Sequence, residues 1–457
     1  MGTVGINFGS VSSGTGFDVA STVTSILAVE QSIEDPWKTQ LANLKAQDTA
    51  FSSLGTDLAT LATSLQSLTD FNGVFSEKQG SSSNTGVLTL TSASTSAIAG
   101  SHTIIVKSLA QTSSNYSNRI TNASDTLSGS LSIQIGSGAS KSITVDSTNN
   151  TLAGLATAIN SSSMGVVASV VKDSTGSRLS LVSSTSGAAG QITLSSSLED
   201  STTSTALSFQ TGQTGADASL NVDGLDTTSA SNTVTGAIPG VTFQLLSTSS
   251  SSSQVQVQIT NNNSAIETAV NSFVTAYNAV VSDMTAQEGK DSSGNAEPLY
   301  GDATLALIQN QLTTGLLGGA ASGSINSITQ LGLSLGRDGK LTLNASDLDS
   351  ALNANFSAIT GFLQNSGSFG QTFTTMLNGL SSTSTKGAIY LAQQQNTAQE
   401  AALNKSISDQ DARIADDKVR LTAELNTANQ ILQSIPDQVN QINQLYSAVT
   451  GYNAAQG

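Results

Sequence analysis

Apolar residues recur at alternating steps of three and four near the end of the chain: Leu421, Leu425, Ala428, Leu432, Ile435, Val439, Ile442, Tyr446 and Val449. That spacing is the seam of a coiled coil. It predicts one long helix over residues 388–449 whose seam needs a partner. The other terminus offers a second helical stripe: Val23, Ile26, Ile33 and Trp37, then Leu41 and Leu44, then Leu54, Leu58, Leu61, Leu65 and Leu68. Pro36 interrupts it and predicts a break or kink. Asp18 is placed to complement the helix start. Gly73 is the expected left-handed terminator of the second helix. Residues 1–16 lack periodicity and are expected to be disordered when free.

From about residue 76 the period changes to two. Strands are predicted at 87–91 and 103–107, a hairpin at 131–135 with 142–145, a helix at 151–160, and strands at 165–171 and 178–182. This β–β–α–β–β order implies a small α+β lobe. Cleanly alternating strands follow at 218–222, 241–245 and 255–259. Helical spacing returns at 265–285 and 303–312. A Gly-Arg-Asp-Gly-Lys turn then joins short strands at 333–335 and 341–343, and Ser346 is a candidate N-cap for the next helix. Pro436 falls inside the terminal seam, where the helix must bend or restart from a cap at Ser434.

The fold class implied is α+β and multidomain. Terminal helices form a coiled-coil stalk and helical bundle, with antiparallel β-rich head lobes inserted between them. The expected partition is a leg (1–40 with 420–457), a helical stalk domain (41–75 with 264–419), a β-rich head domain (76–118 with 216–263) and an outer α+β lobe (119–215). A length of 457 residues accommodates about three such domains.

Charge then narrows the function classes. Sixteen basic residues against 32 acidic ones leave a net charge of −16, which argues against nucleic acid and anionic membrane surfaces as partners. Charged residues are only 11% of the chain, well under the roughly 25% of an average globular protein, so the surface must be hydroxyl- and amide-rich. Between Leu179 and Gly289 there is no Lys or Arg, against eight Asp and Glu. With no cysteine, disulfides and thiolate chemistry are excluded; both chance and passage of an unfolded chain to an oxidising exterior are consistent with that. The first residues lack the basic and apolar regions of a cleaved secretory signal. No apolar run is long enough to span a membrane.

Candidate chemistry is sparse. His102 is the only histidine and no cysteine exists to partner it, so neither a metal site nor acid–base catalysis is expected of it. Asp223 with Asp226, and Asp416 with Asp417, read as solvated turn and helix-face residues. Residues 291–295 resemble part of a calcium loop but lack its closing acidic residue. No cofactor, metal or catalytic group is expected, and the chain reads as a non-enzyme. Asp411 and Lys418 fall on seam positions, where polar residues usually set register or oligomeric state.

In order along the chain, several short motifs resemble those of the flagellar filament cap family, hook-associated protein 2. They are Ser13-Gly14-Thr15-Gly16-Phe17-Asp18-Val19, Val106-Lys107-Ser108-Leu109-Ala110, Val222-Asp223-Gly224, Ile238-Pro239-Gly240-Val241-Thr242-Phe243, Phe273-Val274-Thr275-Ala276-Tyr277-Asn278, and Asp338-Gly339-Lys340-Leu341. Residues 151–168 are similar to a repeat shared by flagellins and hook-associated proteins. Pro436 and the tail Thr450-Gly451-Tyr452-Asn453 depart from the family pattern.

The resemblance implies a secreted homo-oligomer at the tip of the bacterial flagellum, exported by the flagellar type III route. It would retain flagellin and promote its insertion. The implied partners are flagellin, the hook-filament junction proteins and an export chaperone on the C-terminal helix. The candidate contact residues for oligomer or filament are Val23, Ile26, Ile33, Leu421, Leu425, Leu432, Ile435, Val439, Ile442 and Tyr446. The alternative is a surface adhesin whose head binds host surface glycans.

Overall fold

The computed structural model describes residues 16–250, 253–318, 323–381 and 385–450. The expected disorder of residues 1–16, the opening Ser13-Gly14-Thr15 of the first motif and the tail after Thr450 lie outside that set, Gly16 excepted. Among the described residues, eight α-helices run in the order α1 (Val19–Gln31), α2 (Asp35–Thr69), α3 (Leu152–Ser161), α4 (Asn263–Gln287), α5 (Ala303–Leu317), α6 (Ala345–Gln364), α7 (Phe369–Leu380) and α8 (Ala388–Thr450). The chain divides into two compact units, Met1–Thr69 with Ala269–Gly457, and Asp70–Thr268.

In the first, helical unit, α2 buries Phe51, Leu54, Leu58, Leu61, Leu65 and Leu68 almost completely. This is the three/four stripe of the sequence turned inward. Phe362, Phe369 and Phe373 stack in succession, with centroids 4.9 and 5.4 Å apart, and Phe273 meets Phe373 edge-on at 6.1 Å. The antiparallel pair Leu333–Leu335 and Leu341–Leu343 is clamped by Asn278 of α4. The Asn278 amide donates to the Leu341 carbonyl at 2.8 Å and accepts from the Leu341 N–H at 2.7 Å.

Four local expectations need correction. The break near Pro36 falls at Ser32–Glu34, and Pro36 sits in the first turn of α2, where its missing N–H costs nothing. Gly73 is not left-handed; α2 stops at Thr69 and the Asp70 carboxylate takes the turn by accepting from the Asn72 N–H. Asn344, not Ser346, caps α6, its side chain accepting from the N–H groups of Ser346 and Asp347. Finally, of the two readings at Pro436 the restart is not seen: α8 is continuous there, and Ser434 donates back to the Ile431 carbonyl rather than capping.

The second, β-rich unit holds two apolar clusters. One lies in a five-stranded antiparallel sheet, ordered Lys78–Ser82, Val255–Asn261, Gly100–Ser108, Ala218–Val222, Leu225–Ser229, together with a three-stranded sheet of Thr233–Ile238, Val241–Leu245 and Leu88–Ala93. Ile104, Val106, Leu220, Phe243 and Val257 are among its buried residues. The last two strands of the large sheet turn through Asp223 (φ 51°) and Gly224 (φ 90°), the left-handed pair that a two-residue hairpin requires.

The other cluster joins the four-stranded sheet Phe209–Gln213, Thr112–Ser117, Gly176–Ser186, Val166–Asp173 to the three-stranded sheet Ile192–Ser196, Ser130–Ile135, Lys141–Thr144. α3 packs on it through Leu152, Leu155, Ala156 and Ile159. Amide side chains act as ties beside the few ion pairs. Asn160 brackets Ala168, and Asn232 brackets Ala110, each donating to the carbonyl and accepting from the N–H. In a chain so poor in charge, such neutral pairs satisfy buried backbone at little desolvation cost.

Candidate functional site

The candidate site is the stripe shared by α1 and α8. Asp18 caps α1, its side chain accepting from the Ser21 N–H. The two helices run antiparallel. Phe17 N–H donates to the Asn429 side chain at 2.9 Å, and further along α2 the Asn396 amide donates to the Asp48 carboxylate at 2.8 Å. Val23, Leu27 and Ile414 are buried together, with Val19, Leu421 and Leu425 partly covered against them. Asp411 and Lys418 are exposed, flanking Ile414 rather than sitting inside the packed seam.

Of the ten residues read from the sequence, the structure brings Val23, Leu421 and Leu425 into this cluster. Ile26, Leu432 and Ile435 are half-buried, and Ile33 is exposed at the elbow after α1. Beyond Asn429 the stripe opens to solvent: Val439 is 47% exposed, Ile442 65% and Tyr446 56%. Ile431, Leu445 and Val449 are exposed beside them. Leu27 and Ile414 of this cluster were missed, as were two exposed apolar residues beside the stripe, Ile431 and Leu445. The last two lie three or four positions from seam residues and broaden the narrow a/d stripe into a wider apolar face. Val439, Ile442, Leu445 and Val449 thus lie exposed along the last three described turns of α8.

The other candidates form no competing site. His102 Nδ1 and the Asp223 carboxylate lie 2.6 Å apart, and Asp223 also accepts from the Thr103 N–H. The first of these contacts is the main cause holding Asp223 below the usual carboxylate range. Asp226 pairs with Lys107 at 2.6 Å and with the Asn221 amide. Asp417 pairs with Arg420. Asp291 is spent on the N–H groups of Ser293 and Asn295. No group of three or more His, Cys, Asp or Glu able to hold a metal occurs among the described residues, and none of their helices is long and apolar enough to cross a membrane.

One chain thus joins a helical unit bearing an exposed distal apolar stripe to hydroxyl-rich β lobes, the make-up of a structural assembly protein. Comparison with known proteins makes this specific. Residues 15–113 match the model of the flagellar hook-associated protein 2 N-terminus, and residues 215–437 that of its C-terminus. The B-type flagellar hook-associated protein 2 of Pseudomonas aeruginosa is 30% identical over 353 residues, covering 71% of this chain and 74% of that protein. The flagellar hook-associated protein 2 of Escherichia coli K12 is 28% identical over 410 residues, covering 83% and 85%. Among solved structures, the D1-D2-D3 domains of the flagellar cap protein FliD from Escherichia coli superpose with a TM-score of 0.59 at 27% identity, over 76% of this chain and 99% of that one. The chain belongs to the flagellar hook-associated protein 2 family, the filament caps. These relatives support the cap reading, and none supports the adhesin alternative.

Proposed function

We propose that this protein forms the homo-oligomeric cap at the distal end of a bacterial flagellar filament, where it retains exported flagellin and promotes its insertion. The observation that carries the reading is the exposed distal stripe of α8, in a chain whose family is that of the filament caps. Residues 1–40 and 420–457 serve as the leg, with Val439, Ile442 and Tyr446 docking against flagellin or a neighbouring subunit. Residues 41–75 with 264–419 form the stalk. Residues 76–118 with 216–263, and 119–215, form the two head lobes. The same stripe is the surface that an export chaperone would cover before secretion by the flagellar type III route, because an unshielded apolar helix face invites aggregation. Hydroxyl-rich, charge-poor lobes suit a plate over which unfolded flagellin must pass without sticking. Hydrolytic or redox chemistry plays no part in this role.

The test is deletion of the gene, scored for filament length and for flagellin in the medium. Short or absent filaments with abundant secreted flagellin support the reading. Normal filaments with unchanged medium overturn it.

A further inference from the structure

We propose that Glu34 makes the elbow between α1 and α2 a strained hinge, from which α1 opens away from α8 as a unit while α2 stays packed. The elbow is only three residues, Ser32–Glu34. Glu34 is 1% exposed. Its Oε2 receives an ion pair from Lys38 at 2.7 Å, and that lysine side chain is itself mostly in solvent. Its Oε1 is buried and meets no donor among the described groups. An acceptor stripped of water without a replacement donor disfavours the closed state, and a charged one more so. Opening the elbow returns that oxygen to water.

α1 is held by the small cluster around Val23, Leu27 and Ile414 and, at its tip, by the hydrogen bond from Phe17 to Asn429. Val29 and Ile33 on the same arm are exposed. α2, by contrast, is anchored by an almost fully buried leucine stripe. The two halves of this helical pair therefore have separable stabilities, with the boundary at Glu34. An arm that opens at the elbow frees the α1 side of the α8 stripe to take another helix without unfolding the stalk. This deepens the reading of α1 as part of the leg, but its test is a property of the purified full-length chain and stands apart from filament assembly.

The test is amide hydrogen exchange followed by mass spectrometry on the full-length protein and two variants. Glu34→Met replaces the carboxylate by an apolar chain of similar shape and removes both acceptors. Exchange across Val19–Gln31 is expected to slow about tenfold or more, with residues 51–68 of α2 unchanged, since orphaned acceptors carry penalties of that order. Lys38→Met strips the carboxylate of its ion pair and is expected to speed exchange in α1 by a similar factor, again sparing α2. Unchanged or faster α1 exchange in Glu34→Met overturns the hinge. So does unchanged α1 exchange in Lys38→Met, or a parallel change of α1 and α2 in either variant.

Discussion

Asn278 offers the sharpest test of how a charge-poor chain holds its helical unit together. Its amide closes a reciprocal pair with the backbone of Leu341, 63 residues away: carbonyl accepting at 2.8 Å, N–H donating at 2.7 Å. Leu341 is buried, so Asn278→Ala leaves one backbone donor and one acceptor without partners where water has poor access. At roughly 1–2 kcal/mol for each orphaned group, the cost is about 2–4 kcal/mol. The hairpin Leu333–Leu343 is short and depends on this clamp, so the loss should appear there first. Hydrogen exchange of the hairpin amides is expected to accelerate by about 30- to 700-fold, since each 1.4 kcal/mol is a factor of ten. Asn278→Asp keeps an acceptor for the N–H but turns an oxygen toward the Leu341 carbonyl, and should do no better than alanine at neutral pH. Acceleration of less than threefold in both variants would refute the claim that the amide clamp carries this weight.

Thr151 caps α3 by accepting from the Gly154 N–H at 3.1 Å; Thr151→Ala should cost about 1 kcal/mol, read as roughly fivefold faster exchange of the α3 amides. Asp283 of α4 is half-buried, with its Oδ2 lacking a hydrogen-bond partner, and burial, followed by the nearby Asp57, raises its pKa. Because the folded value lies above the unfolded one, the stability this group contributes is complete at low pH and is lost as pH rises through the folded value. Asp283→Asn should therefore become more resistant to urea relative to wild type on going from pH 4 to pH 7, and a constant difference between the two proteins would contradict the sign.

The stripes of α2 and α8 were legible because each repeats one apolar residue per helical turn over many turns. So was the Leu333–Leu343 hairpin, where the Gly-Arg-Asp-Gly-Lys turn and the alternating leucines agree. The strand Thr112–Ser117 was not legible, since its inward positions are Ser113, Asn115 and Ser117. The two serines are buried on long-range bonds: Ser113 accepts from the Ile192 N–H and Ser117 from the Leu179 N–H, partners 79 and 62 residues distant that no local pattern announces. α7 was missed for a different reason. Its Phe369, Phe373, Leu377 and Leu380 spacing is helical, but Gly and Ser on either side read as loop. At the candidate site, the seam of α8 was readable as a stripe. Which part α1 covers was not, because that depends on where α1 begins against α8, near Asn429.

On the proposed function, filament growth depends on the distal stripe of α8 as a docking face. The most direct measurement complements a strain lacking this gene with Val439→Glu/Ile442→Glu. Both side chains are about half exposed or more, so the purified variant should keep the circular dichroism and thermal midpoint of wild type. Short or absent filaments with flagellin accumulating in the medium are expected. Filaments of normal length from that variant would contradict the docking role.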